Sequence, residues 1–196
     1  GTPASILPFD KTKYQPNRYG LTKWMFDENN PLTSRVYVNR IWQNIFGRGI
    51  VNTSGDFGMQ GELPTHADLL NWLSADFMEH HWDIKHLVKK IVMSATYQQS
   101  SVVSKEKMAI DPDNMYLARS SRNLFTAEMI RDHALASSGL LFDDTGGRSV
   151  RVYQPDGLWE SATSGRGHLT AYTQDKGELL YKRGLYIFVK RTSLPP

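Results

Sequence analysis

Residues 30–47 read NPLTSRVYVNRIWQNIFG, and this stretch decides the fold. Its apolar side chains recur at steps of three and four residues: Val38, Ile41, Trp42 and Ile45. That spacing places them on one face of a helix and predicts a buried stripe against a core. Gly47 is a typical helix stop, so we predict a helix from about Leu32 to Phe46.

Upstream of this helix, the sequence predicts an extended lead-in and one further helix. Residues 1–16 contain three prolines, which favour extended backbone over helix. Asn17 is a typical N-cap residue, and the helix that it opens ends before Pro31.

Downstream, residues that cap helices mark four more helical segments. These segments open at Thr65, at Asp83, at Asp111-Pro112 and at Thr126. Thr65 with Asp68 three places later is an Asp version of the capping box. The third segment is short, whereas the Asp83 helix extends to about Ala95 and the Thr126 helix to Ser138, before Gly139.

After Gly146-Gly147 the pattern changes from helical to irregular. Residues 158–162 suit one helical turn, and residues 181–191 alternate as a strand does, with 169–173 as its partner. The predicted fold class is therefore α+β, mostly helical, with a short antiparallel β element. Residues 17–196 form one predicted domain, with a helical body over 17–140 and an irregular or β segment over 141–196.

The charge of the chain excludes one class of function. The net charge is +3, but residues 176–191 carry five basic side chains and one acidic one, so the rest has a net charge of −1. Nucleic-acid binders usually present a broad basic face. In the basic tail, aromatic residues alternate with Lys and Arg, as they do in proteins that bind single-stranded nucleic acid. A strand with one packed face and one solvated face explains the same pattern better. We therefore expect no nucleic-acid partner.

The residue inventory predicts no cofactor within this chain. There is no cysteine, which excludes thiolate metal sites and thioether-linked haem. His80, His81 and His86 lack the spacing of ligands on one helical face, so we expect no bound metal. No apolar run reaches the roughly 18 residues of a membrane helix. The chain opens Gly-Thr-Pro without a signal peptide, and we expect it to be a fragment of a longer protein.

A series of ordered motifs resembles one bacterial family. They are Asn30-Pro31-Leu32, Arg35-Val36, Val38-Asn39-Arg40, Trp42, Phe46-Gly47-Arg48-Gly49, Asp56-Phe57-Gly58, Pro64-Thr65-His66, Trp72-Leu73, Ser94-Ala95-Thr96-Tyr97, Arg131-Asp132, Tyr153-Gln154-Pro155 and Lys190-Arg191-Thr192. The chain resembles, over nearly its whole length, the domain of unknown function found in planctomycetes and related bacteria downstream of a cytochrome c-like module.

The resemblance implies a setting rather than a reaction. Such proteins are large and exported, to the periplasm or cell surface, and they often lie near sulfatase-like and sugar-processing neighbours. Other modules of the same polypeptide are then the expected partners, acidic or sulfated glycans are candidate ligands, and haem belongs elsewhere in the parent protein.

The loop over residues 48–64 is the best candidate binding region. A loop this long without secondary structure is uncommon in a compact domain and is often a binding loop. Its four glycines permit close backbone approach to a ligand, and it leads into a helix N-terminus that favours anions. The alternative is an Ω-loop packed on itself through Phe57 and Met59.

Five residues around this loop are the candidate binding residues: Arg35, Asn39, Arg40, Asp56 and His66. His66 lies at a helix start, where the helix dipole favours the neutral imidazole, which can accept a proton or bind a metal. The alternative is that His66 only forms hydrogen bonds to loop carbonyls. Arg40 on a buried helix predicts a carboxylate partner, Asp56 or Asp132, and a clear loss of stability in Arg40→Met.

Two functions from different classes remain open at this point. The first is an accessory or structural module with a glycan- or anion-binding loop. The second is an enzyme acting on sulfated or acidic polysaccharides through His66, Asp56 and Arg40. No complete catalytic motif is present, since Asp56-Phe57-Gly58 lacks the other elements of the kinase set.

Overall fold

The protein is mostly helical, as predicted. The computed structural model describes residues 2–162 and 172–191. The chain divides into two compact units, residues 1–123 and 124–196. None of the helices in the described ranges has the length and apolarity that a membrane crossing requires.

Helices of the first unit begin where local capping chemistry allows. They are α1 (Arg18–Met25), α2 (Pro31–Phe46), α3 (Ala67–Glu79), α4 (Ile84–Val92) and α5 (Lys105–Ile110). The Asn17 side chain accepts from the Gly20 amide, and Asp83 accepts from the two amides after Ile84, which confirms both predicted caps. Gly47 ends α2 with a φ of 81°, as its lack of a side chain permits.

Two predicted helix starts are wrong because other groups bind their side chains. Thr65 does not cap α3: its hydroxyl and its amide both donate to the carbonyl of Ile50. His66 is the N-cap, and its side chain makes no capping hydrogen bond. Asp111 lies at the C-terminus of α5, which Ser104 caps, and its carboxylate accepts from the amides of Met115 and Tyr116.

The core of the first unit forms where α2 packs against α3, with α4 beside α3. The predicted stripe supplies Val38 and Trp42, both buried, with Ile41 and Ile45 packed against the core at its edge. The other buried members are Phe46, Ile50, Val51, Leu70, Leu73, Phe77, Leu87 and Ile91. Burying each such side chain contributes about 1.5–3 kcal/mol, which makes this cluster the main source of stability in the unit.

Asn39 ties the start of the long loop to α2. Its side chain is fully buried, its Nδ2 donates to the Val51 carbonyl at 2.9 Å, and its Oδ1 accepts from the Val51 amide at 2.8 Å. One side-chain amide therefore satisfies both polar groups of a buried residue. A Cβ on Gly49 would lie 2.4 Å from the Val51 oxygen and 2.8 Å from Asn39 Nδ2, so the turn requires glycine there.

Arg40, the next residue, was predicted to be buried, but it is not. It is exposed on the outer side of α2, and no carboxylate pairs with it among the described residues. Asp132, one suggested partner, accepts instead from the amide of Gly184 within the second unit. The prediction failed because α2 buries only one face, and Arg40 lies outside it.

Residues 2–16 contain turns, where an extended segment was predicted over residues 1–16. Tyr14 is buried at 3% exposure, and the Trp24 indole donates to the carbonyl of Leu7 at 2.9 Å. The carboxylate of Asp27 accepts from Lys13 Nζ and from the Tyr14 hydroxyl, both at 2.5 Å. This segment therefore packs as part of the first unit.

The second unit has α6 (Ala127–Ser137) and α7 (Leu158–Ala162), and both lie where predicted. Thr126 caps α6 through the Met129 amide, and Gly139 follows it with a φ of 72°. Its core contains Val150 and Trp159, and the Trp159 ring lies 4.8 Å from that of Tyr172 and 5.6 Å from that of Phe188.

The predicted antiparallel β element is not confirmed. The described part of residues 177–191 forms two short 3₁₀ helices, Gly177–Tyr181 and Gly184–Tyr186, and isolated bridges. Both pairings, Phe142 with Lys182 and Val150 with Ile187, are parallel. Residues 169–171 of the suggested partner lie outside the described ranges. Lys182 explains part of the error. It is buried, with its Nζ 2.7 Å from Asp144 and 2.9 Å from the Gly146 carbonyl. The alternation of side chains therefore does not separate a solvent-exposed face from a buried one.

Asn39→Ala should lower the free energy of unfolding by about 2–4 kcal/mol, because it leaves the Val51 amide and carbonyl buried without partners. Urea denaturation followed by circular dichroism measures this. Arg40→Met is the matched control on the same helix, and we expect a change within about 0.5 kcal/mol. Equal losses in the two variants would contradict the assignment of the loop anchor to Asn39.

Asp27→Asn should destabilise the protein in a pH-dependent way. Hydrogen bonds from Lys13, then from Tyr14 and the Asn29 amide, hold the pKa of Asp27 well below its usual value of 3.8. Ionised Asp27 therefore stabilises the fold above about pH 4, and this contribution is lost as the pH falls through the folded-state pKa. At pH 7 we expect a loss of about 1–3 kcal/mol, shrinking toward pH 3.

Melting temperatures from pH 7 to pH 3 test this, with the exposed neighbour Glu28→Gln as the control. A difference between Asp27→Asn and the parent that stays constant across this range would show that the carboxylate charge is not the cause.

Candidate functional site

The loop between α2 and α3 is ordered by hydrogen bonds within itself. Thr53 Oγ1 donates to the carbonyl of Asp56 and accepts from the amide of Glu62, and Asp56 Oδ1 accepts from the Gly58 amide at 2.7 Å. Phe57 packs against the core, whereas Met59 is fully exposed. Asp56 is thus a turn-forming residue, and the loop packs through Phe57 but not through Met59.

A cleft of about 290 Å³ opens beside this loop, entirely within the first unit. Trp42 and Phe46 from α2 contribute aromatic surface to its lining, and their ring centroids lie 4.2 Å apart. Arg48 and His66, from the two ends of the loop, also line it. The remaining lining residues are Gly49, Ile50, Thr65, Met108, Pro112, Asp113, Asn114, Met115, Leu117, Arg119, Ser120, Ser121, Arg122 and Asn123. We call this cavity the Arg48 cleft.

The Arg48 cleft carries an excess of positive charge. Three arginines line it, Arg48, Arg119 and Arg122, against a single carboxylate, that of Asp113. Arg119 is fixed in place, because its two terminal nitrogens donate to the carbonyls of Asp111 and Pro112 at 2.8 and 2.7 Å. An anion entering the cleft therefore meets three cationic groups and one carboxylate in its lining.

Arg48 itself is only loosely paired. Its nearest carboxylate oxygens lie 3.8 Å away on Asp113 and 4.0 Å away on Glu62, beyond hydrogen-bond distance. Its Nε is buried and has no hydrogen-bond partner among the described residues, and the same is true of Asn114 Oδ1. Buried polar atoms are normally satisfied, so these two mark a place where a ligand or water belongs.

The five predicted binding residues do not meet at one site. His66 lines the Arg48 cleft, with its Nδ1 3.0 Å from Thr65 Oγ1. Arg35 lines a second cavity of about 290 Å³ against the loop, and Arg40 lines a third of about 250 Å³. Asn39 is buried beneath the loop as its anchor, and Asp56 lines none of these three cavities.

This placement bears on the enzyme hypothesis, which requires His66, Asp56 and a basic residue on one open cleft. Only His66 lies in the Arg48 cleft, where the basic residues are Arg48, Arg119 and Arg122 rather than Arg40. Arg119 and Arg122 were not among the predicted binding residues, because about 70 residues separate them from Arg48 in the chain. Arg48 itself lies in the motif Phe46-Gly47-Arg48-Gly49, and this motif was the sequence signal that could have identified Arg48 as a site residue.

A second cluster of polar side chains joins α3 to α4. Asp76 is buried, and its Oδ2 lies 3.1 Å from His86 Nε2 while its Oδ1 lies 3.5 Å from His80 Nδ1. The two imidazole rings stack with centroids 3.8 Å apart, and Lys90 Nζ donates to Asp76 Oδ1. The burial of Asp76 raises its pKa, but the hydrogen bonds from Lys90 and His86 outweigh this, so the pKa lies below its usual value.

Among the described residues, Asp76, His80 and His86 are the group whose ligand atoms lie close enough together to hold a metal ion. Sequence spacing missed them because the two histidines lie on different helices. The signal that could have found them is the repeated i, i+4 spacing, Asp76 with His80 on α3 and His86 with Lys90 on α4.

The turn between the two helices creates this cluster. His81 and Trp82 both have positive φ, 55° and 61°, a conformation that side chains normally avoid. Trp82 holds the turn in place, because its ring packs edge-on against Phe77 at 5.2 Å and Phe26 at 4.7 Å. The turn therefore returns α4 against the end of α3 and sets His86 over His80.

Comparison with known proteins identifies the family. The model of the protein family of unknown function PSD1, also called DUF1553, matches residues 17–196. The chain belongs to this family. Searches of curated proteins and of solved structures found no match. The resemblance inferred from the sequence motifs is thus confirmed at the level of this DUF1553 domain.

Two motifs that carried the resemblance to the DUF1553 family converge on the Arg48 cleft. Phe46, Arg48 and Gly49 from the first and Thr65 and His66 from the second all line it. They meet because the Thr65 amide and hydroxyl bind the carbonyl of Ile50, which draws the two ends of the loop together.

Arg48→Gln should change the free energy of unfolding by less than about 1 kcal/mol, because its ion pairs are long and its Nε is unpartnered. Chemical denaturation measures this, with Asn39→Ala as the destabilised reference. A loss as large as that of Asn39→Ala would show that Arg48 is a structural residue rather than a ligand-binding one.

Proposed function

We propose that this DUF1553 domain is a binding module whose Arg48 cleft holds one acidic or sulfated sugar unit. The observation that carries the proposal is the buried, unpartnered Nε of Arg48 in a cleft lined by two further arginines and one carboxylate. A guanidinium presents paired N–H donors that match the oxygens of a sulfate or carboxylate.

The rest of the cleft suits a sugar rather than a bare inorganic anion. Trp42 and Phe46 are buried in the core but contribute apolar surface to the lining of the cleft, against which the C–H groups of a pyranose can pack. Asn114, Ser120, Ser121 and His66 supply hydrogen-bonding groups for hydroxyls. A volume of about 290 Å³ lies at the lower end of the range for ligand sites, which favours a single sugar unit.

The setting of this module is a further part of the proposal. Its motifs resemble those of domains that follow a cytochrome c-like module in large exported proteins. We place it there as an accessory domain, working beside other modules of the same polypeptide in the periplasm or at the cell surface. The Arg48 cleft would then hold the polysaccharide substrate close to a partner module that processes it.

Isothermal titration calorimetry with galactose and two acidic derivatives of it tests the binding proposal. Galactose 6-sulfate and galacturonic acid should bind to the whole chain at least tenfold more tightly than galactose itself, because only they carry an anion for Arg48. Arg48→Gln should reduce the affinity for both acidic sugars at least tenfold. Arg40→Gln is the control, because Arg40 lines a different cavity of similar size.

Three results would overturn this proposal. Equal affinity for galactose and its acidic derivatives would remove the role of the arginines. A loss of acidic-sugar affinity in Arg40→Gln but not in Arg48→Gln would assign binding to the cavity that Arg40 lines. Release of free sulfate from galactose 6-sulfate, abolished by His66→Ala, would show catalysis in place of binding.

A further inference from the structure

We propose that Asp76, His80 and His86 form a binding site for one divalent transition-metal ion, separate from the Arg48 cleft. The spacing of His80, His81 and His86 does not suit one helical face, which is why no metal was expected from the sequence. The site instead uses two ligands from the end of α3 and one from the first turn of α4.

Two donor separations in the cluster are close to those around a tetrahedral zinc ion, and the stacked imidazole rings must turn so that both nitrogens point at the ion. Zinc binds imidazole nitrogen and carboxylate oxygen at about 2.0–2.2 Å, so neighbouring ligand atoms lie about 3.3 Å apart. The two nitrogen–oxygen separations, His86 to Asp76 and His80 to Asp76, are 3.1 and 3.5 Å. All three ligand atoms lie within 4.8 Å of one another.

The cluster combines a fixed ligand with an accessible side. Asp76 is buried, and its backbone carbonyl accepts a hydrogen bond from His80 Nδ1 at 2.8 Å, so a metal ion bound at Nδ1 would take the place of the proton in this hydrogen bond. The side chains of His80 and His86 are 47% and 29% exposed, so an ion can enter from solvent and keep water as its remaining ligand. Three protein ligands with an open position are typical of reactive rather than purely structural zinc sites.

The ligand set selects the class of ion. Two imidazoles and one carboxylate suit zinc, copper, nickel or ferrous iron, whereas magnesium and calcium prefer sites made of oxygen ligands. We therefore expect zinc to bind and magnesium not to bind.

Lys90 is the group that competes with the metal. Its ammonium donates to Asp76 Oδ1 and also lies 4.7 Å from the centre of the Trp72 ring. A metal ion at Asp76 would oppose this ammonium, which can rest over Trp72 instead. Removing the lysine charge should strengthen metal binding, whereas a purely structural ion pair would only lose stability.

Titration of the whole chain with zinc chloride, followed by calorimetry, tests the proposal. We expect one equivalent bound with micromolar or tighter affinity, and no binding of magnesium chloride at millimolar concentration. His80→Ala and His86→Ala should each weaken zinc binding at least tenfold, and Lys90→Met should tighten it. His133→Ala, an exposed histidine in the second unit, is the matched control and should bind as the parent does.

Other variants separate this proposal from that for the Arg48 cleft. His66→Ala and Arg48→Gln should leave the zinc affinity unchanged, and His86→Ala should leave acidic-sugar binding unchanged. Circular dichroism shows that each variant is folded before titration. Absence of stoichiometric zinc binding by the parent overturns the site, as does zinc binding that survives in the folded His80→Ala, His86→Ala double variant or that is lost in His66→Ala.

Discussion

The first unit depends on one side-chain amide. Asn39 lies in the buried face of α2 and binds both the amide and the carbonyl of Val51, a residue twelve positions away in a loop. A loop that enters a core must satisfy its backbone polar groups there, or it costs about 1–3 kcal/mol for each unpaired group. Asn39 removes that cost, so that Ile50 and Val51 join the core as apolar residues. The Arg48 cleft forms on either side of this anchor along the chain. Arg48 lies just before Val51, and Thr65 and His66 lie after it, where the loop ends.

The two candidate sites differ in how their charges are balanced, and the difference explains why they suit ligands of opposite sign. In the Arg48 cleft the cations outnumber the carboxylates, and part of the hydrogen-bonding capacity of Arg48 and Asn114 is unused. Around Asp76 every group shown has a partner, but the two histidines and the lysine share a single carboxylate. The anion proposed for the Arg48 cleft would complete the first arrangement. A metal ion can replace protons and the ammonium in the second, because neutral imidazole and carboxylate are both metal ligands.

In both sites several functional groups come from residues next to helix ends rather than from the tip of the loop between α2 and α3. The tip of the loop, with Asp56 and Met59, is held by its own hydrogen bonds and contributes neither residue to the cavities described. Residues close to helix ends provide the functional groups instead: Arg48 follows α2, His66 precedes α3, and His80 and His86 flank the turn after α3. Such positions hold a side chain more firmly than a loop tip does, which favours a site with fixed geometry.

The sequence by itself determined most of the helices, though not α5, because helix formation depends on neighbours that are close in the chain. The periodic stripe of α2, the caps Asn17, Asp83 and Thr126, and the stops Gly47 and Gly139 all act within one or two turns, and each was predicted correctly. Predictions failed where a side chain found a distant partner. Thr65 bonds to Ile50 instead of capping α3, and Lys182 is buried against Asp144 instead of lying in a strand. Only the tertiary structure brought Arg119 to the cleft of Arg48 and His86 over His80. Contacts of that kind are set by how helices pack and how loops return, and no local pattern in the sequence records them.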